Sequence, residues 1–148
     1  MTVDVLDPPP RGSAAEGQRS DADFHRRAVP ATPQQLATLR EQLDGWALRS
    51  GLSSETHEAL QLAVYEAMAN VVVHAYRSAA GVLDLLASIR GDSVVVIVAD
   101  RGRWQPAARP GPLHGRGLPL IRALSATAVI EATAAGTTVT MTFSRGKP

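Results

Sequence analysis

Apolar residues recur along this chain in two rhythms. Leu36, Leu39, Leu43, Trp46 and Leu48 fall at near-helical spacing, as do Leu60, Ala63, Val64, Ala67, Met68, Val71 and Val72, and each set predicts a helix with one buried face. The segments Val82 to Arg90, Ser93 to Ala99, Ala128 to Thr133 and Thr137 to Ser144 carry the strand pattern instead. In the last of them Val139, Met141 and Phe143 alternate with threonines. The run Val94-Val-Val-Ile-Val-Ala99 reads as a buried central strand.

Punctuating residues set the boundaries. Phe24 to Ala31 predicts a short first strand. Pro33 suits the first turn of a helix that should stop near Gly51. Ser53 or Ser54 caps the second helix, Glu55 and Glu58 lie toward its positive end, and the apolar set carries it to about Tyr76. Gly91-Asp92 is a hairpin turn. A loop with Pro106, Pro110 and Pro112 links Asp100 to His114, and a third helix is expected from about Gly117 to near Ser125, with Pro119 tolerated in its first turn. A closing hairpin turns at Ala135-Gly136.

The order strand, helix, helix, hairpin, helix, hairpin predicts an α/β two-layer sandwich, an α+β arrangement with a mixed, antiparallel-rich sheet and helices on one face. Apolar positions of the first hairpin, including Leu83 and Leu85, are expected on the opposite face, where a second copy of the chain or a partner would cover them.

The length of 148 residues fits one domain, expected over residues 23–146. Residues 1–22 are rich in proline, glycine, serine and charge and are expected to be a disordered tail. Fifteen basic residues against fourteen acidic ones leave a net charge of +1, so there is no general electrostatic footprint for nucleic acid. Without cysteine there is neither a disulfide framework nor a thiolate metal site. The sequence shows no signal peptide and no apolar run near the roughly 20 residues that span a bilayer, so the expectation is a cytoplasmic protein without membrane contact.

Three clusters suggest chemistry. Glu66 and Asn70 are four apart in the second helix and share one of its faces. A carboxylate and an amide so placed suit a magnesium phosphate, because Mg²⁺ prefers oxygen ligands and keeps several waters, leaving one or two positions to the protein. Asn70 is the candidate ligand and Glu66 the candidate general base; the plain alternative is a solvated or paired helix edge. His74 extends the same stripe to the pocket rim, with no second residue at zinc-like spacing. Asp100 ends an apolar strand, where a carboxylate can accept a hydrogen bond from an exocyclic amine, and Gly102 lets a planar base approach the backbone. Asp-Arg-Gly is otherwise a simple turn.

Gly115-Arg116-Gly117-Leu118 opens a helix and offers free amides to phosphate oxygens, although glycine pairs also make ordinary loops. It is no P-loop, since no Gly-Lys-Ser or Gly-Lys-Thr follows, and the dinucleotide fingerprint lacks its third glycine. Alternation places Thr137 on the same face as Val139, bringing its hydroxyl toward the pocket, while Gly136-Thr-Thr-Val139 is by default a hairpin turn.

Taken in order, Tyr65-Glu-Ala-Met-Ala-Asn70-Val-Val-Val-His-Ala-Tyr76, Asp100-Arg-Gly102, Gly115-Arg-Gly117-Leu118 and Gly136-Thr-Thr-Val139 resemble the histidine-kinase-like ATPase superfamily shared with gyrase. The chain is most similar to its small anti-sigma-factor serine kinases, over roughly residues 24 to 145. The resemblance implies the Bergerat ATP-binding fold, with Asn70 as Mg²⁺ ligand, Glu66 as general base, Asp100 recognising adenine and Gly102 shaping that pocket. It also implies Gly115 and Gly117 beneath a phosphate lid and Thr137 at the adenine end. Kinases of this branch bind a sigma factor and phosphorylate a serine or threonine of a small antagonist protein, so that added charge switches partners.

Two departures stand out. Trp104 occupies the place of the glycine that usually ends the adenine motif, narrowing the pocket mouth or stacking there. Leu113 and His114 occupy the stretch where related kinases carry a phosphate-binding arginine, so Arg116, Arg109 or Arg103 would have to substitute. A phosphohistidine kinase is disfavoured, since His57 and His74 belong to the pocket helix. The rival reading is a catalytically weak or inactive nucleotide-binding module that sequesters a sigma factor or another regulator.

Overall fold

Thr32 starts the first helix: its hydroxyl accepts the Gln35 amide at 3.2 Å, and Pro33 takes the first helical position. In the computed structural model, which describes residues 23–75, 81–102 and 112–146 with backbone only at 74–75 and 112–117, that helix is α1 (Pro33–Arg49). It follows β1 (Phe24–Pro30) and precedes α2 (Ser54–Asn70). Next come β2 (Val82–Arg90), β3 (Ser93–Asp100), α3 (Pro112–Leu124), β4 (Thr127–Thr133) and β5 (Gly136–Ser144). The tail assigned to residues 1–22 lies outside the described residues.

The five strands form one sheet in the order β1-β2-β3-β5-β4, antiparallel at every pairing. Gly91, at φ 61°, turns β2 into β3 in the left-handed conformation that costs glycine little. β3 is the central strand, but only alternate residues are deeply buried. Val94, Val96 and Val98 join Leu83 and Leu85 of β2 and Val139, Met141 and Phe143 of β5 beneath the helices. Leu39 and Leu43 of α1, Leu60, Val64 and Met68 of α2, and Ile121 of α3 close this core from above. Each fully buried aliphatic side chain of this kind contributes roughly 1.5–3 kcal/mol.

Two apolar assignments change. Leu83 and Leu85 face the helices, not the opposite surface, because the register Leu83↔Asp100 and Leu85↔Val98 puts them in phase with β3's core residues. The face away from the helices instead carries Leu86, Val95 and Ile97 with Thr140 and Thr142. Leu48 is 65% exposed. Five positions beyond Leu43 it has rotated off the buried stripe, and Trp46 and Ala47 fill that place.

Helix ends also shift. Ser53 is the cap of α2, its hydroxyl accepting the Thr56 amide at 3.1 Å. The α-helix stops at Asn70 instead of running to Tyr76, which lies outside the described residues, and Val71–Ala75 continues as a π-helical turn. Three consecutive valines crowd the helical spacing there, and such bulges recur at functional sites. α3 begins at Pro112, five residues before the expected Gly117, because proline at the first helical position presets its φ. Pro119 is consequently inside the helix and not in its first turn. None of the described helices is long and apolar enough to cross a membrane.

Candidate functional site

The direction of α2 over the sheet decides which residues meet. At its start, Thr56 Oγ1 donates to the Ser144 carbonyl at 2.8 Å and the Ser53 amide to the Arg145 carbonyl at 3.4 Å, so the N-terminus of α2 sits at the C-terminal end of β5. The helix packs on β3 and β5, so from that start it extends back across the sheet toward the beginning of β5. Its 17 residues at about 1.5 Å each span roughly the same distance as the 9 residues of β5 at about 3.4 Å each. The C-terminal end, with Glu66 and Asn70, therefore lies over the opposite end of the sheet. That end holds Thr137, first after Gly136 in β5, and Asp100, last in β3.

Asp100 is 6% exposed, and its carboxylate is fixed by backbone. Oδ1 accepts the Gly102 amide at 2.9 Å and the Thr137 amide at 3.3 Å. A buried carboxylate held by N–H donors is oriented before any ligand arrives. Thr137 is buried on the same face as Val139, as alternation predicts. Gly136 makes this junction possible: at φ 146° it lies so close to Asp100 that an added Cβ would stand 2.0 Å from the Asp100 carbonyl oxygen. A turn glycine in the sequence is thus a close-approach glycine in the fold.

Asn70 is 9% exposed at the last α-helical position, and among the described residues no hydrogen-bond partner is placed for its amide. Glu66, one turn earlier, is half-buried, so it keeps contact with solvent. Among the described residues no three His, Asp or Glu side chains cluster to hold a metal by themselves. An ion at Asn70 would draw its remaining oxygen ligands from phosphates and water, which is the habit of Mg²⁺.

The described fold joins Asp100, Gly102 and Thr137 by hydrogen bonds and brings the Glu66–Asn70 turn to the same end of the sheet. The side chains of His74 and Arg116 and the whole of Trp104 lie outside what the structure describes. Arg103, Arg109, Pro106 and Pro110 do so as well. Gly115 and Gly117 occupy α3 beyond its first three residues, so they are not at the helix entrance. Leu118 is half-buried and packs against the core. His57 is occupied elsewhere, its Nε2 lying 2.5 Å from Asp44 Oδ1 of α1. A cavity of about 500 Å³ lies between the start of α2 and the ends of α3 and β5, at the far end from Asp100. The site is defined by its polar geometry and not by that cavity.

Asp84 and Arg101 were not singled out from the sequence. Asp84 is 8% exposed on the sheet face opposite Asp100, and both its oxygens accept from Arg101 Nη2 at 3.1 Å. The signal was a lone carboxylate inside Val82-Leu83-Asp84-Leu85-Leu86, since a charge in an apolar strand needs a partner.

Residues 29–143 match the family described as histidine kinase-like ATPase domain. The chain belongs to that family. Serine-protein kinase RsbW of Oceanobacillus iheyensis is 38% identical over 84 residues, 56% of this chain and 53% of its own. Serine-protein kinase RsbW of Bacillus subtilis is 36% identical over 85 residues, 57% and 53% of the two chains. This histidine kinase-like ATPase domain thus spans about half the length of the curated relatives it matches. Among solved structures, the RsbU and RsbW domains of Rv1364c from Mycobacterium tuberculosis align with a TM-score of 0.70 at 29% identity, covering 85% of this chain and 33% of that one. The blue-light activated histidine kinase of Erythrobacter litoralis EL346, at 24% identity and TM-score 0.56 over 76% of this chain and 40% of its own, shares the fold.

Proposed function

We propose that this domain binds ATP with Mg²⁺ and acts as a serine/threonine kinase of the anti-sigma-factor type, phosphorylating a small antagonist protein in a partner-switching system. The observation that carries the reading is the buried Asp100 carboxylate, oriented by the Gly102 and Thr137 amides at the sheet end over which α2 brings Asn70. Similarity to proteins named serine-protein kinase RsbW supports the choice of branch.

The nucleotide and its metal supply the phosphoryl group and the positive charge that offsets the phosphates. Asp100 accepts the exocyclic amine of the base, with Gly102 keeping the backbone open beside it and Thr137 supporting the carboxylate from β5. Asn70 offers its carboxamide oxygen to the metal. Glu66 holds the proton taken from the acceptor hydroxyl, a task that suits a carboxylate open to solvent and one helical turn from the metal ligand. In this reading the Gly115-Arg116-Gly117-Leu118 stretch of α3 borders the phosphates through Arg116 and the space left by the two glycines and not through helix-entrance amides, while His74 and Trp104 border the pocket.

A sigma factor is the second protein partner in this reading. A second copy of the chain covers the sheet face that carries Leu86, Val95 and Ile97. Incubating the pure protein with γ-labelled ATP, Mg²⁺ and candidate antagonists, followed by phosphosite mapping, tests the proposal. One labelled serine or threonine on an antagonist is expected. ATP binding without label on any cognate antagonist would favour the sequestering module, consistent with Leu113 and His114 standing where related kinases have an arginine.

A further inference from the structure

β1 contains one more residue than its partner strand allows. Arg26 pairs with Leu85 and Val29 with Leu83, so three steps along β1 face two along β2 and a bulge results. Ala28, inside the bulge, has φ 55°, a left-handed conformation that is unfavourable for a residue with a Cβ. Its amide points away from the ladder and donates to Asp84 Oδ1 at 2.8 Å. The same carboxylate receives Arg101 Nη2 on both oxygens at 3.1 Å. Arg101 is the middle residue of the turn in which the Gly102 amide bonds back to Asp100.

The geometry points to Asp84 as a positioning residue for base recognition, acting through Arg101 from the reverse face of the sheet. Asp100 and Leu83 pair across β2 and β3 on the helix side, whereas Asp84 and Ala99 pair on the other side. The Asp100–Gly102 turn is therefore held on both faces: by the Thr137 amide in front and by the Arg101–Asp84 ion pair behind. Asp84 is itself anchored to the bulge, so the turn is tied to the edge strand and not only to its own hairpin. The pair is more than surface decoration, because Asp84's side chain is 12% exposed and its charge is taken out of water only where Arg101 and the Ala28 amide replace that water. Sub-ångström placement of Asp100 decides whether its carboxylate meets an exocyclic amine within hydrogen-bond reach.

The inference rests on Asp100 reading the base, so its test includes a measurement that needs no nucleotide. Arg101→Gln is the main variant, since its side chain is 52% exposed and its loss leaves the core intact. Asp84→Asn is the second; it keeps an acceptor for Ala28 but loses the charge. Hydrogen exchange of the ligand-free full chain is expected to show faster exchange in the 98–102 segment for both variants. ATP affinity is expected to fall about five- to tenfold in each, and the double variant to be no worse than either single one. GTP affinity, carried by the phosphate end, is expected to hold, so the preference for ATP over GTP falls by the same factor. Arg101→Lys, which keeps the cation, is expected to recover part of that preference.

Unchanged exchange together with an unchanged ATP:GTP ratio would overturn the positioning role. Equal losses for ATP and GTP with a lower Tm would overturn it too, leaving Asp84 a stabilising residue only. A wild type that binds neither nucleotide would remove the functional reading and this role with it, while the exchange data would still separate a structural clamp from no clamp.

Discussion

The buried carboxylate of Asp100 is oriented by two backbone amides that donate to Oδ1. Replacing it by asparagine keeps shape and an acceptor for those amides but removes the charge. In Asp100→Asn the fold should persist while ATP affinity falls about ten- to a hundredfold, the usual worth of a hydrogen bond to a charged group. Calorimetry with wild type and variant checks this, and equal affinities would take Asp100 out of the site. The residue was legible in the sequence because it ends a strongly apolar strand. Gly102 and Thr137 were named as well, but not as amide donors to its carboxylate, since they lie two and thirty-seven positions further on and only the fold brings both to Oδ1. Asp84 escaped for the opposite reason: its chemistry was visible, but only the fold pairs it with Arg101. Leu48 misled because an apolar side chain next to a stripe looks like part of it, and its phase differs by half a turn or so.

Among the elements, those set by local rules emerged as expected. Pro33 opened α1, Ser53 capped α2, and Gly91 turned the first hairpin. Two helix ends did not: the π-helical turn after Asn70 and the early start of α3 at Pro112 both depart from simple helical periodicity. The start of α3 matters for chemistry, because amides engaged inside a helix are not offered to phosphates in the way that those of its first turn are. The β4–β5 hairpin gives the sharpest element-scale test. Gly136→Ala would drive a Cβ into the Asp100 carbonyl oxygen at a φ of 146° that L residues avoid. It should destabilise the domain by roughly 2 kcal/mol or more and move the Thr137 amide off Asp100. Chemical denaturation alongside ATP titration measures both effects. A variant as stable as wild type would mean that the hairpin does not close on β3 as described.

The described residues form two layers, helices above and an antiparallel sheet below, with the proposed site at the sheet end where β3 finishes and β5 begins. The lower face carries Leu86, Val95 and Ile97, apolar residues on neighbouring strands that a monomer would leave to water. If a second copy covers them, Ile97→Lys should convert a dimer to a monomer in sedimentation experiments without lowering ATP affinity, because Ile97 points away from Asp100's face. A wild type that sediments as a monomer at high concentration would refute that assembly. The two-layer class was legible from the order of elements alone, yet which hairpin residues faced which layer depended on the Leu83↔Asp100 register, and that register is a property of pairing and not of either strand.

In the proposed function one end of this sheet builds a kinase site in which Glu66 serves the transfer step and not the binding of nucleotide. Glu66→Gln preserves volume and hydrogen bonding and removes only basicity, so it separates the two. The decisive measurement is phosphate transfer from ATP to a cognate antagonist, made together with ATP affinity on wild type and Glu66→Gln. The expected result is transfer slowed by about 10²-fold or more with affinity barely changed. Transfer at the wild-type rate in the variant would contradict the account.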